Sequence, residues 1–65
     1  MEKINEKLPQ IIEDDINALI DGIKNNSTVL DCLEMELEAS INGCLATRQI
    51  SKKTADKLRN HYIDR

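Results

Sequence analysis

Residues 28–46 of the chain, TVLDCLEMELEASINGCLA, form the stretch that decides the fold. Apolar side chains recur in it at steps of three and four residues, which places them on one face of an α-helix. These side chains are Leu30, Leu33, Leu37, Ile41, Cys44 and Leu45. A second line of apolar residues beside the first contains Val29, Cys32, Met35 and Ala39. The stretch therefore predicts a central helix that contacts a neighbour on either side.

Two further helices are predicted to flank this central helix. The first begins near Pro9, because proline is tolerated in the first turn of a helix, and a stripe of Ile and Leu follows it. Ser51 is a good N-cap for the third helix, whose apolar face carries Ala55, Leu58 and Tyr62. We expect an all-α domain over residues 1–65, a small three-helix bundle in up-down-up order. Its predicted helices span residues 8–25, 28–47 and 51–63.

Local details of the central helix are also predicted. Ser27 or Thr28 should cap its start. Gly43 interrupts it at a cost of about 1 kcal/mol relative to Ala, which indicates either the close approach of a neighbouring backbone or a bend. Cys32 and Cys44 would lie about 18 Å apart along the helix axis. They are interpreted as reduced core side chains, with an intermolecular redox role as the alternative.

The length and composition of the chain limit its class. It has 65 residues, no Trp or Phe and one Tyr, and a chain of this size buries only about 60% of its unfolded surface. Stability should therefore be marginal, and the sequence leaves open whether a second copy completes the core. No apolar run approaches the roughly 18 residues of a membrane helix, and the N-terminus lacks the apolar core of a signal peptide. We expect a cytoplasmic protein without membrane contact.

Charge is distributed unevenly along the chain. Residues 1–46 contain ten acidic and three basic side chains, a net of −7, and residues 47–65 contain six basic and two acidic ones, a net of +4. The basic residues of the second part are Arg48, Lys52, Lys53, Lys57, Arg59 and Arg65. In one interpretation these residues only pair with the acidic helices at the surface. In another, the asymmetry creates an interaction surface for a second copy or a charged partner protein.

Residues 48–59, RQISKKTADKLR, support a third interpretation. An apolar residue, then Ser, then basic and Thr residues resembles the turn and recognition helix of helix-turn-helix proteins. The resemblance covers about a dozen residues and has no Gly at the turn. It implies DNA binding as an alternative function. The residues that would contact DNA are Arg48, Lys52, Lys53, Lys57 and Arg59.

No catalytic constellation can be assembled from the sequence. His61 is the only His, and the two glycines, Gly22 and Gly43, are too far apart to form a phosphate-binding loop. We therefore expect a protein that is not an enzyme and that binds no cofactor, metal or small molecule.

The predicted function is interaction with another protein or with a second copy. Candidate roles are a small regulatory or adaptor protein, an inhibitor of a bacterial enzyme, or an accessory protein of a phage or mobile element. The hypothesis is that the apolar face of the central helix is wider than two short neighbours can cover, so that a groove or dimer seam remains. Acidic residues should flank it on one side and residues of the basic third helix on the other. The predicted partner-binding residues are Met35, Leu37, Glu34, Glu38, Lys53, Lys57 and Arg59.

Overall fold

The chain folds into three helices. The computed structural model describes residues 6–64, so that Arg65, one of the predicted basic residues, lies outside the described range. Helix α1 spans Gln10–Lys24, α2 spans Leu30–Ala46 and α3 spans Lys52–Leu58, and a π-helical turn over Arg59–Ile63 continues α3. Residues 6–64 contain no strand. The all-α class is confirmed, and the predicted helix ends differ from the observed ones by at most two residues when the π-helical turn is counted with α3.

Helices α1 and α2 are antiparallel neighbours. Gly22, near the end of α1, lies beside Leu30 and Leu33 at the start of α2. In the middle of both helices, the hydroxyl of Ser40 donates a hydrogen bond to the carboxylate of Asp15. The contacting residues thus run in opposite order along the two helices, as expected for an up-down-up bundle with a short connection.

One core joins all three helices. Its buried side chains are Ile12, Ile16, Leu19, Leu37, Ile41, Cys44, Ala55, Leu58 and Tyr62. Leu37, Ile41 and Cys44 share one face of α2, and the apolar faces of α1 and α3 meet on it. The first apolar line of the central stretch is therefore used inside the chain, and Cys44 is a core side chain as predicted.

Helices α1 and α2 end in the same type of cap. Asn26 and Arg48 have φ angles of 53° and 62°, in the left-handed region. After α2, the N–H of Arg48 donates to the carbonyl of Leu45 at 3.1 Å, and the N–H of Gln49 donates to that of Cys44 at 2.8 Å. Equivalent hydrogen bonds follow α1. This pair of bonds is the Schellman motif, which satisfies the last carbonyl groups of a helix.

The two predicted N-caps have different outcomes. Ser51 caps α3, since its hydroxyl accepts a hydrogen bond from the N–H of Thr54 at 3.2 Å. Helix α2 begins later than expected and has no side-chain cap. The hydroxyl of Ser27 instead accepts from the N–H of Val29 at 3.2 Å, which tightens the connection. The prediction of a cap at Ser27 or Thr28 was therefore wrong.

The close contact between helices lies at Gly22 and not at Gly43. A Cβ atom added at Gly43 would meet nothing within 4 Å, and α2 continues unbroken past this residue. The predicted close approach at Gly43 is wrong. At Gly22, an added Cβ would lie 2.6 Å from Cδ1 of Leu33 and 3.1 Å from Cδ2 of Leu30. The absence of a side chain at Gly22 is what lets the start of α2 pack closely on α1.

Candidate protein-binding groove

The second apolar line of α2 faces solvent. Cys32, Met35 and Ala39 are exposed, and Met35 has 72% of its surface accessible. Gly43 continues this line one turn after Ala39 and is also exposed. We name Cys32, Met35, Ala39 and Gly43 the outer stripe. Because the core lies on the opposite face of α2, no other helix of residues 6–64 covers the outer stripe.

The two cysteines are divided between these faces. Cys44 is buried in the core, whereas Cys32 is exposed on the outer stripe, and both are free thiols. The prediction that both are core side chains was therefore wrong for Cys32. Residues twelve positions apart in a helix point about 120° apart, so the two cysteines cannot share one face, and the packed side of α2 decides which of them is buried.

An apolar groove of about 340 Å³ lies beside the outer stripe, between the start of α1 and the second half of α2. Its lining residues are Ile11, Ala39, Ser40, Gly43, Cys44 and Gln49. Ile11 is 55% exposed and forms the α1 side of the groove. Because Gly43 has no side chain, the groove reaches the backbone of α2.

The polar side chains of the groove are bonded within the chain. The Ser40 hydroxyl donates to Asp15, and the Gln49 amide donates to the hydroxyl of Thr47 at 3.0 Å. That hydroxyl in turn donates to the carbonyl of Gly43 at 3.0 Å. Among residues 6–64, no buried side-chain nitrogen or oxygen lacks a hydrogen-bond partner. The groove is therefore suited to an apolar side chain more than to a polar ligand.

The helices that form the groove are strongly acidic. Residues 10–46 contain eight carboxylates and a single cationic side chain, Lys24. The carboxylates belong to Glu13, Asp14, Asp15, Asp21, Asp31, Glu34, Glu36 and Glu38. Asp21, Asp31 and Glu36 are exposed and form no ion pair with another described residue. The groove thus lies in a negatively charged surface.

The side of α2 that faces α3 is closed. The guanidinium of Arg59 donates to the carboxylate of Glu38 at 3.1 Å and also to the side-chain carbonyl of Asn42. Glu38 and Arg59 were predicted to lie on opposite sides of a groove, but they contact each other directly. The position of the predicted groove is corrected accordingly: it lies between α2 and α1 and not between α2 and α3.

The remaining predicted site residues are dispersed. Leu37 is fully buried, so its predicted role as a partner-contacting residue is corrected to that of a core residue. Glu34 is half-buried. On α3, the ammonium of Lys57 lies 2.7 Å from the carboxylate of Glu6, while Lys53 is exposed. Of the seven predicted partner-binding residues, only Met35 belongs to the outer stripe.

None of the six residues that line the groove was among the seven predicted partner-binding residues. A signal for Ile11 was present, because adjacent residues of a helix point about 100° apart, so that Ile11 and Ile12 cannot both face the core centre. Ser40 and Gln49 carry no such signal, since their place depends on where α1 lies.

No similarity to a known protein indicates a function for this chain, so the function is inferred from the groove and the outer stripe. No family model matches the chain, and neither the curated proteins nor the solved structures include a significantly similar one. Within residues 6–64, no three His, Cys, Asp or Glu side chains are grouped so that they could hold a metal ion. No helix in that range is both long and apolar enough to cross a bilayer.

Proposed function

We propose that the protein is a small protein-binding module whose groove and outer stripe hold apolar side chains of a partner. The observation that carries this proposal is that Gly43 borders open space on the surface of α2. Glycine in a helix interior costs about 1 kcal/mol relative to Ala. At Gly43 neither a neighbouring atom nor a left-handed backbone requires it. The missing side chain leaves the groove open. A residue that lowers helix stability and improves no packing contact is expected mainly at a functional site.

Exposed apolar side chains support the same proposal. Three large ones are exposed in the described chain, and two of them, Ile11 and Met35, border the groove or belong to the outer stripe. Single exposed apolar residues are ordinary. A groove that adjoins a line of apolar residues is instead typical of an interaction surface. The flexible side chain of Met35 is suited to contacts with partners of different shapes.

Gly43→Phe tests the proposal. A Cβ at this position would have no atom within 4 Å, so that Gly43→Phe should direct its phenyl ring into the adjoining groove and not into the core. Gly43→Ala is the matched control, since it adds one methyl group and leaves most of the groove open. In quantitative affinity capture, partners retained by the wild type and by Gly43→Ala should be lost with Gly43→Phe. Thermal unfolding should place Gly43→Phe at or above the wild type. Equal retention by all three proteins would refute the proposal.

DNA binding by residues 48–59 is a second candidate function, and one observation favours it. The run lacks the Gly expected in a helix-turn-helix turn, yet Arg48 takes the left-handed conformation that such a Gly would supply. Lys52 and Lys53 are exposed at the start of α3. Arg59, by contrast, is half-buried against Glu38. The basic surface available for phosphate contact is therefore smaller than the sequence suggests.

A band-shift titration with duplex DNA separates the two candidates. Binding through α3 should weaken steeply with added salt and be lost in Lys53→Glu, whose exposed side chain plays no part in the core. The Gly43→Phe protein should bind DNA like the wild type in that case. If no band shift occurs at low salt, DNA binding is excluded as a candidate function, and the proposed protein-binding function of the groove is not affected.

A further inference from the structure

We infer that the partner segment held by the groove is a cationic amphipathic helix, with aliphatic side chains on one face and Lys or Arg on both flanks. This inference rests on the proposed protein-binding function and specifies the chemistry of the partner. It is argued from the charges that frame the apolar surface, from the shape of that surface, and from what a second copy of the chain could offer.

Carboxylates frame the apolar surface on each side. On α2, Asp31 and Glu36 project to opposite sides of the outer stripe, and both are exposed. On α1, Asp14 is exposed and lies about one turn after Ile11, which lines the groove. Helix α2 has no Lys or Arg at all. A partner that brings cations to these flanks gains electrostatic complementarity, whereas an acidic partner is repelled.

The shape of the surface fits a helix. The residues of the outer stripe follow one another at steps of three, four and four, so that the stripe extends for about 16 Å, or three helical turns. Its second half is made of Ala39 and Gly43, which allow the backbone of a partner to approach closely. Helices that bind in such a groove insert aliphatic side chains spaced three or four residues apart.

A second copy of this chain does not offer that chemistry. Pairing α2 with α2 would bring acidic flanks together, since the helix carries four carboxylates and no cation. The basic face of α3 is no better suited. Its exposed residues include Lys52, Lys53, Lys57 and Asn60, and none of these supplies an aliphatic anchor of the kind the groove accepts. The occupant is therefore a different protein.

Designed peptides provide the test. The probe is a fluorescein-labelled helical peptide of Leu and Lys, with Leu on one face, titrated with the protein and followed by fluorescence anisotropy. One control peptide replaces every Lys with Glu, and another keeps the Leu–Lys composition but scrambles it so that no apolar face forms. The Leu–Lys helix should bind at least about tenfold more tightly than either control, a difference of roughly 1.4 kcal/mol. Added salt should weaken its binding.

Two protein variants, each with a matched control, locate the binding. Gly43→Phe should weaken binding of the Leu–Lys helix by roughly tenfold or more, and Gly43→Ala should not. Glu36→Lys should also weaken it, because the change reverses a charge beside the outer stripe. Glu6→Lys makes the same charge change on the α3 side, where Glu6 contacts Lys57, and should leave the affinity close to that of the wild type.

The outcomes distinguish this inference from the proposed function. No binding of the Leu–Lys helix, or equal binding to the wild type and Gly43→Phe, overturns the inference. The inference is also overturned if the control peptide with Glu in place of Lys binds as tightly as the Leu–Lys helix. If Gly43→Phe abolishes binding of that control peptide, the groove still binds a helix, and its partner is not cationic. If Gly43→Phe changes neither the retention of captured proteins nor the affinity for any peptide, the inference and the proposed function both fail.

Discussion

Gly22 and Gly43 each interrupt a helix, but only Gly22 has a structural reason to do so. The side chains of Leu30 and Leu33 occupy the space in which a Cβ of Gly22 would lie, so that the α1–α2 contact depends on its absence. Gly43 borders open space. The two residues are indistinguishable by helix propensity, and only their neighbours separate a packing role from the groove role proposed for Gly43.

Alanine at each glycine should therefore have different effects on stability. Gly43→Ala should raise the free energy of unfolding by about 1 kcal/mol, because helix propensity improves and nothing is displaced. Gly22→Ala should be less stable than Gly43→Ala by roughly 1 kcal/mol or more, since Leu33 has to move. Urea unfolding followed by circular dichroism measures both. Equal midpoints for the two variants would contradict the assignment of the close contact to Gly22.

Arg48 holds a backbone conformation that disfavours side chains. Its φ of 62° places it in the left-handed region, at a cost of about 1–2 kcal/mol for a residue with a Cβ. Arg48→Gly should therefore stabilise the protein by about 1 kcal/mol, partly offset by the greater freedom of Gly in the unfolded chain. Arg48→Ala retains a Cβ and should give no such gain. Thermal unfolding at matched salt compares them, and an equal gain from Ala would refute a backbone origin.

At the level of elements, α3 is short, and its attachment to α2 decides whether it forms. The core contacts of Ala55, Leu58 and Tyr62 provide most of this attachment, because isolated helices shorter than about 12–15 residues are marginal in water. At the edge of the interface, Arg59 adds charged hydrogen bonds to Glu38 and Asn42. These bonds join the π-helical turn to the second half of α2.

Removal of the Arg59 contacts should loosen this attachment. Arg59→Gln and Glu38→Gln should each lower the free energy of unfolding by up to about 1 kcal/mol, with a coupling energy that shrinks at high salt because the pair is partly exposed. The Lys52–Asp56 pair, with its charged atoms 3.0 Å apart within α3, is more exposed and is the matched pair. Because Asp56 also lies 3.6 Å from the guanidinium of Arg59, its coupling with Lys52, about 0.3–0.5 kcal/mol, is measured in the Arg59→Gln protein. A double-mutant cycle measures both couplings. Equal values would contradict a bridging role for Arg59.

For the whole molecule, the two faces of α2 have separate tasks. Leu37→Ala removes a fully buried side chain and should cost about 2–5 kcal/mol, a large part of the stability of so small a domain. Met35→Ala should change stability by less than about 0.5 kcal/mol, because Met35 is exposed, while it weakens binding of the Leu–Lys helix. Denaturant unfolding and anisotropy titration test the pair. Substantial unfolding by Met35→Ala would contradict this separation.

The charge of the whole molecule also bears on self-association. Because α2 presents carboxylates beside its outer stripe and no cation within it, we expect a monomer from low to high micromolar concentration. Sedimentation velocity across that range measures the mass, with 7.4 kDa expected for one chain. A dimer that persists in Gly43→Phe would place self-association elsewhere on the surface. A dimer abolished by that variant would make a second copy the occupant of the groove.

Much of the fold follows from local patterns. The spacing of apolar residues predicted three helices and the core face of α3, and it predicted that α2 is apolar on two sides. Ser51 was recognised as an N-cap because a cap depends only on the next three residues. The start of α2 was misplaced, since the Ser27 hydroxyl accepts from the N–H of Val29, which precedes the helix. Such local choices are decided by small energy differences that a residue pattern does not report.

By itself, the sequence determined that α2 is apolar on two sides, that residues 10–46 are acidic, and that a glycine lies in the second half of α2. Only the tertiary structure decided which side is covered, that the contact glycine is Gly22 and the open one Gly43, and that the groove adjoins α1. The physical reason is that helical periodicity specifies angles around one axis. Burial and open space depend on the positions of the neighbouring axes, which result from the packing of all three helices together.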